Sequence, residues 1–424
     1  MPKYSAGQAL KSWGYPIPTE PPAMREGSRP GRRLTFWVAC SAAVSAMALG
    51  VVAGGGASTA LAKSKSSPIL IGASTPLSGP NAYAGVEWLQ GLKLGIKKVN
   101  ADGGVLGRKF KIVTADNGCA PSTGVTAADK LIADHPAVIL GSVCSSATLA
   151  TMPLVKTAHI VQLSDDSSDP LITKEAGVGG NPWEFRINLD SAMLAEGLAS
   201  YIANKVDSLN NKSVYYIAED DAFGQGGVSG YQGPLKKLGI TTAGVSYYTP
   251  GLGDFDPILS AVQAAKPGAV VMIMEPDDAA TMVRQYRELG LHEPIFDGGG
   301  ALSQQMFTSL GTPSLANGIV GAFFWNAAED KTFTDAYVNA YGTTPAPDSI
   351  GPYYDAFVLA DAIKLAGSAT PSAIRKGLEK VDLKEAWGTI KFDSHNQAHA
   401  NIAVQEAEGG NIKLLKVVPS SGAY

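Results

Sequence analysis

The run Gly141-Ser142-Val143-Cys144-Ser145-Ser146-Ala147-Thr148 carries the clearest chemistry in the chain. It follows an apolar strand pattern, Val138-Ile139-Leu140, and opens a helical one. Backbone N–H groups and hydroxyls at such a junction can hold an anionic ligand group. A plain turn capped by serine satisfies the same pattern without any ligand. Gly224-Gln225-Gly226-Gly227-Val228-Ser229-Gly230 also sits between strand and helix, as a dinucleotide fingerprint would. Its spacing departs from G-x-G-x-x-G and it does not occupy the first βα turn, so no bound nucleotide is expected. His395 and His399 stand four apart, but Asn396 and Gln397 between them supply no acidic ligand, and solvated loop histidines are expected rather than a metal site. Among only five histidines no Ser-His-Asp or Cys-His arrangement stands out, so neither an enzyme nor a cofactor is expected.

At 424 residues the chain is too long for one compact core and suggests two domains plus a tail. Its 45% hydrophobic content and 48 glycines fit an α/β protein with many short turns. The net charge of −4 gives no reason to expect nucleic acid. Residues 1–62 read differently from the rest: a Pro-rich basic stretch, then Arg29, Arg32 and Arg33 before an apolar run from Leu34 to Val52, ending in Ala60-Leu61-Ala62. This pattern predicts a disordered leader and a secretory signal peptide cleaved after Ala62, with Met24 as an alternative start. An uncleaved membrane anchor is the competing reading, since Leu34–Val52 approaches the ~20 residues of a span. Arg32-Arg33 hints at twin-arginine export, whereas lipidation at Cys40 is not expected. The leader holds six basic residues against two acidic ones, so its removal takes the net charge from −4 to −8. Cys119 and Cys144 are then the only cysteines left, in an oxidising compartment: the periplasm or the outer face of the envelope.

Strand and helix patterns alternate through the remainder. Strand-like runs occur at 68–71, 110–113, 138–140, 160–163, 214–217, 245–248, 270–274, 294–296 and 319–324. Between them, Trp88, Leu89, Leu92, Ile96 and Val99 fall at helical spacing, as do apolar residues in 123–132, 194–206, 258–265 and 279–289. Repeated βαβ units imply parallel sheets covered by helices on both faces. With no Pro-, Gly- or Ser-rich linker within 67–418, the two lobes must interleave.

Several motifs then occur in a telling order. They are Ile71-Gly72-Ala73-Ser74-Thr75-Pro76-Leu77-Ser78-Gly79-Pro80, Val99-Asn100-Ala101-Asp102-Gly103-Gly104-Val105-Leu106-Gly107-Arg108 and Glu219-Asp220-Asp221-Ala222-Phe223-Gly224-Gln225-Gly226. Together with Phe255-Asp256-Pro257-Ile258-Leu259, Arg284–Leu291 and Tyr354-Asp355-Ala356, they resemble the type I periplasmic solute-binding proteins of branched-chain amino-acid ABC transporters, over about 68–418. The resemblance implies two Rossmann-like lobes with parallel sheets, three crossovers near 187–190, 321–326 and 388–393, and a ligand cleft that closes by a hinge. It places one lobe at 67–187 with 326–388 and the other at 190–321 with 393–418. It also implies a Cys119–Cys144 disulfide, a small-molecule ligand and ABC permease subunits as partners. A sensory binding module on the same fold is the alternative function.

Position by position, the resemblance puts Ser145 at the serine that receives a ligand carboxylate, beside Ser146, and Ser168 at a second hydroxyl. Phe223 matches an aromatic that lines the cleft, and Ser78 lies in the first ligand loop. The family glutamate for the ligand ammonium falls on Gly299, a pocket aromatic falls on Ala84 with Tyr83 beside it, and a second-lobe tyrosine falls on Glu275. An amine acceptor must then come from Asp166, Glu275 or Asp297, or else the ligand has no α-amine.

Overall fold

The computed structural model describes residues 67–420. The expected signal peptide, its cleavage site and Cys40 lie outside them. The first half of the chain lays down β1 (Ile69–Thr75), α1 (Ala82–Ala101), β2 (Phe110–Asp116), α2 (Pro121–Ala133), β3 (Val138–Leu140), α3 (Ser145–Ala158), β4 (Gln162–Ser164), α4 (Leu171–Lys174) and β5 (Glu184–Arg186). The five strands form one parallel sheet in the order β2-β1-β3-β4-β5. Its central strands are apolar and buried on both faces, as parallel strands sandwiched by helices must be.

After β5 the chain enters a second layer: α5 (Ser191–Ser208), β6 (Ser213–Glu219), α6 (Ala222–Lys237), β7 (Thr241–Tyr248), α7 (Asp256–Ala265), β8 (Ala269–Ile273), α8 (Pro276–Glu288), β9 (Ile295–Asp297), α9 (Gln304–Leu310) and β10 (Val320–Phe323). It then returns to the first through α10 (Lys331–Tyr341), α11 (Ile350–Ala366) and α12 (Pro371–Leu378), followed by the hairpin β11 (Leu383–Glu385) and β12 (Gly388–Ile390). It finishes as β13 (Asn401–Glu408) and β14 (Asn411–Pro419) on the second sheet, whose order is β14-β13-β10-β9-β8-β6-β7. Strands β6 to β10 are parallel, and β13 and β14 run antiparallel at one edge.

Two features fix the first lobe. Helix α11 packs on α1 where Gly91 and Gly95 leave no room for a side chain. A Cβ at Gly91 would lie 1.9 Å from the Ser349 carbonyl oxygen, and one at Gly95 would lie 2.4 Å from that of Tyr353. Trp88, on the same helix, is fully buried and donates its indole N–H to Asp165 at 2.8 Å. Where the chain leaves β5, the fully buried Arg186 bonds the carbonyls of Ser167 and Asp169, the Thr173 hydroxyl, Gln397 and Asp190. Asp190 also caps α5 by accepting from the Met193 N–H at 2.8 Å. One guanidinium therefore ties the end of the first sheet to the start of α5 and to the loop before β13. Charge and hydrogen bonds there are satisfied together, which a buried cation requires.

In both sheets the strand order reverses, between β1 and β3 in the first and between β6 and β8 in the second. Loops on either side of such a switch point splay apart and open a crevice at the carboxyl ends of the strands. Here the two crevices face each other.

Candidate functional site

The cleft between the lobes is narrow and encloses about 50 Å³ of free space. Its first wall is built from the start of α1 and the loops after β3 and β4, with Tyr83, Cys144 and Asp166 among them, joined by Asp348 from the turn Pro347–Ser349. The second wall comes from the loops after β6, β8 and β9 and the end of β10, including Glu219, Phe223, Glu275 and Phe323. The two walls touch. Tyr83 Oη donates to Glu275 Oε2 at 2.7 Å, and Ser146 Oγ donates to Asp221 Oδ2 while accepting from the Ala222 N–H, both at 3.3 Å. The lobes are therefore closed.

The expected site residues divide by placement. Tyr83, Asp166, Ser168, Phe223 and Glu275 line the cleft together. Ser146 lies at its edge as a link between lobes rather than in the lining. Ser145 is off the wall, 1% exposed, with its hydroxyl accepting from the Asp169 N–H at 3.2 Å. Ser78 is exposed in the loop before α1, hydrogen-bonded to Asp116. Asp297 is turned into its own loop, where it accepts from the N–H groups of Gly299, Gly300 and Leu302 at 2.8–3.0 Å. Its carboxylate thus holds the 298–302 backbone and has no reach into the cleft. Ala84, in the first turn of α1, is fully buried and off the cleft wall, so its small size does not enlarge the pocket; Tyr83 is the residue that faces it. Gly299 lines the cleft, and a Cβ there would stand 2.9 Å from Cζ of Phe223 and 3.1 Å from the Met274 nitrogen.

Cys119 and Cys144 form a disulfide, Cα–Cα 5.3 Å, that lies in the lining itself. It joins the loop after β2 to the start of α3, and Asn81 Nδ2 donates to Cys119 Sγ at 3.0 Å. The bridge closes a 25-residue separation and so constrains the unfolded chain by roughly 3 kcal/mol in the loop-closure picture.

Sequence reasoning missed Glu87, Asp348, Glu219 and Asp221, all of which line the cleft. Glu87 follows Tyr83 by four positions on α1 and so shares its face, a signal that was available. With Asp166 and Glu275 they make six carboxylates, and no Lys, Arg or His among the described residues joins them in the lining. Each is pushed toward its protonated form. Burial raises Glu87 to about 7. Burial and then the charge of Glu87 raise Asp348 to about 7. Burial and then Asp348 raise Glu275 to about 8, against the opposing hydrogen bond from Tyr83. Burial and then Glu275 raise Glu219 to about 9. Burial also raises Asp166 and Asp221. Asp166 faces Asp348, and its buried Oδ2 has no donor in reach other than a proton shared with that partner.

Two α/β lobes closed over a polar cleft, with three passages of the chain between them, define a type I periplasmic-binding fold. The sequence profile of the periplasmic binding protein family matches residues 68–411, and the chain belongs to that family. An amino acid binding protein of Pseudomonas aeruginosa is 28% identical over 331 residues, covering 77% of this chain and 86% of that one. A Leu/Ile/Val-binding protein homolog of Brucella abortus is 25% identical over 329 residues, covering 77% and 86%. Among solved structures, a leucine binding protein from Thermotoga maritima superposes with a TM-score of 0.74 at 22% identity, covering 82% of this chain and 98% of that one. A solute binding protein from R. palustris in complex with benzoate gives 0.75 at 18% identity, covering 84% and 98%. These two show the shared fold.

Proposed function

We propose that this chain is an exported receptor that captures a small amphipathic solute between its lobes and hands it to an ABC permease. The observation that carries the reading is the pair of bridges from opposite walls, Tyr83 to Glu275 and Ser146 to Asp221. Such bonds exist only when the lobes are shut, so they stabilise the closed state that encloses a solute. The moving units are residues 67–187 with 326–388 and residues 190–321 with 393–418, hinged where Arg186, Asp190 and Gln397 meet. Amino-acid and leucine-type relatives favour a solute with an amine. With Gly299 in place of the family glutamate, Asp166 and Glu275 take over that contact from within the cleft. Export follows from the leader pattern, with cleavage after Ala62 leaving Lys63 as the first residue.

The test is calorimetry on protein stripped of bound solute by reversible unfolding. One saturable site per chain for an amino acid or a related amine, with the solute recovered unchanged, supports the reading. Chemical conversion of the solute, or several weak sites per chain, would sink it. N-terminal sequencing of the exported chain tests the cleavage point.

A further inference from the structure

Resting on the solute-binding reading above, we propose that the cleft takes an aliphatic organic cation carrying at least two ammonium or guanidinium groups. The carboxylates are arranged as two facing sets. Glu87, Asp166 and Asp348 belong to the first wall, and Glu219, Asp221 and Glu275 to the second. Closing the lobes brings like charges together in a poorly hydrated space, which opposes closure unless protons or cations enter with it. A single positive group can neutralise one set. A chain with positive groups at two points can serve both, and so makes closure depend on its own presence.

Three further observations favour an organic cation. Asp166 Oδ2 is buried in the lining with only the Asp348 carboxyl beside it, a position that a ligand N–H would fill. No three acidic, His or Cys side chains among the described residues converge closely enough to hold a metal ion, so the charges are spread along a space rather than focused on a point. Between them stand Tyr83, Leu194, Phe223, Phe323 and Phe324, surfaces suited to methylenes and to cation–π contact. A carboxylate ligand such as benzoate would instead be buried among like charges with no cation in the lining to meet it.

A second cavity of about 220 Å³ lies against the cleft. It shares Glu87, Ser303, Gln305, Ala346 and Pro347 with the cleft. That chamber is lined by Trp325, 1% exposed, whose indole N–H has no partner. Its other walls, Asn326, Gln405 and Gln304, are neutral hydrogen-bonding groups.

The experiment titrates the stripped protein at neutral pH with 1,4-diaminobutane, lysine, arginine, leucine, benzoate and calcium chloride, following heat and thermal shift. The expected result is saturable binding of at least one dicationic probe about 100-fold tighter than leucine. Preference for lysine or arginine means that the ligand also carries a carboxylate, and preference for diaminobutane means that it does not; both support the proposal. Asp348→Asn should weaken the dication at least 10-fold while the melting temperature of the empty protein stays level or rises, a response that misfolding would not give. Glu275→Gln should behave likewise from the other wall. Tighter binding of leucine, benzoate or calcium overturns the dication and leaves solute capture standing. Absence of binding by every probe, with no lobe closure, overturns both.

Discussion

Replacing Tyr83 by Phe removes a single oxygen from the bond that joins the walls of the cleft. Tyr83 donates to Glu275 over 2.7 Å, from the first turn of α1 to the residue before α8. Without that hydroxyl Glu275 keeps its buried position but loses its cross-lobe donor. A hydrogen bond to a buried, partly charged acceptor is worth about 1–3 kcal/mol when one partner is deleted. Because the bond forms only on closure, the loss falls on the closed state and therefore on solute affinity, which should weaken by about 5- to 150-fold. The open protein does not make the bond, so its melting temperature should move little. Glu275 should also titrate higher, since the Tyr83 hydrogen bond is what opposes its upward shift. Calorimetric titration of wild type and Tyr83→Phe with the same solute, at pH 6 and pH 8, reads all of this. An affinity within threefold of wild type at both values would refute the reasoning that this contact latches closure.

The closed, solute-free form should lose stability as pH rises from about 4.5 to about 8. Glu87 and Asp348 are raised to about 7 and Glu275 to about 8, each chiefly by burial, so their stabilising contribution is full below the ordinary carboxylate range and vanishes through those values. A melting temperature that climbs or stays flat across this window, measured by calorimetry on stripped protein, contradicts the clustered-acid account. Replacing Cys119 and Cys144 together by Ser should cost roughly 3 kcal/mol, a few degrees in a chain of this size, as read by denaturant or thermal unfolding. Unchanged stability would mean that the unfolded chain is not held by this bridge. Gly299→Glu should not create leucine binding, because even a Cβ there presses on Phe223 and the Met274 nitrogen. Titration with leucine that gives tight binding would show that the wall yields more easily than its packing implies.

Much of the scaffold could be read from residue order because its central strands are buried on both faces and most of its helices on one. The β1 run and the Trp88-to-Val99 stripe carry that asymmetry openly. Helix α11 does not: twelve of its seventeen residues are buried, leaving no polar face to give a helical period. The three-residue β5 and β11 are too short for any alternation to register. Within the site, Phe223 and Glu275 are found by following loops at strand ends. Asp348 reaches the cleft only because the Pro347–Ser349 turn packs beside α1, a tertiary fact with no local mark. Asp297 misleads for the opposite reason. It stands at a strand end among glycines, where a ligand contact and a loop-stabilising carboxylate look alike in sequence, and its oxygens go to three backbone N–H groups. Ser145 illustrates the same ambiguity at a helix start, with its hydroxyl committed to the Asp169 backbone.

Small-angle scattering of the stripped protein, recorded before and after addition of a solute shown by calorimetry to bind, tests solute-driven closure most directly. Solute-driven closure predicts a radius of gyration that falls on addition and recovers when the solute is dialysed away, with Tyr83→Phe requiring more solute for the same change. A radius that stays constant while calorimetry reports a filled site would contradict it.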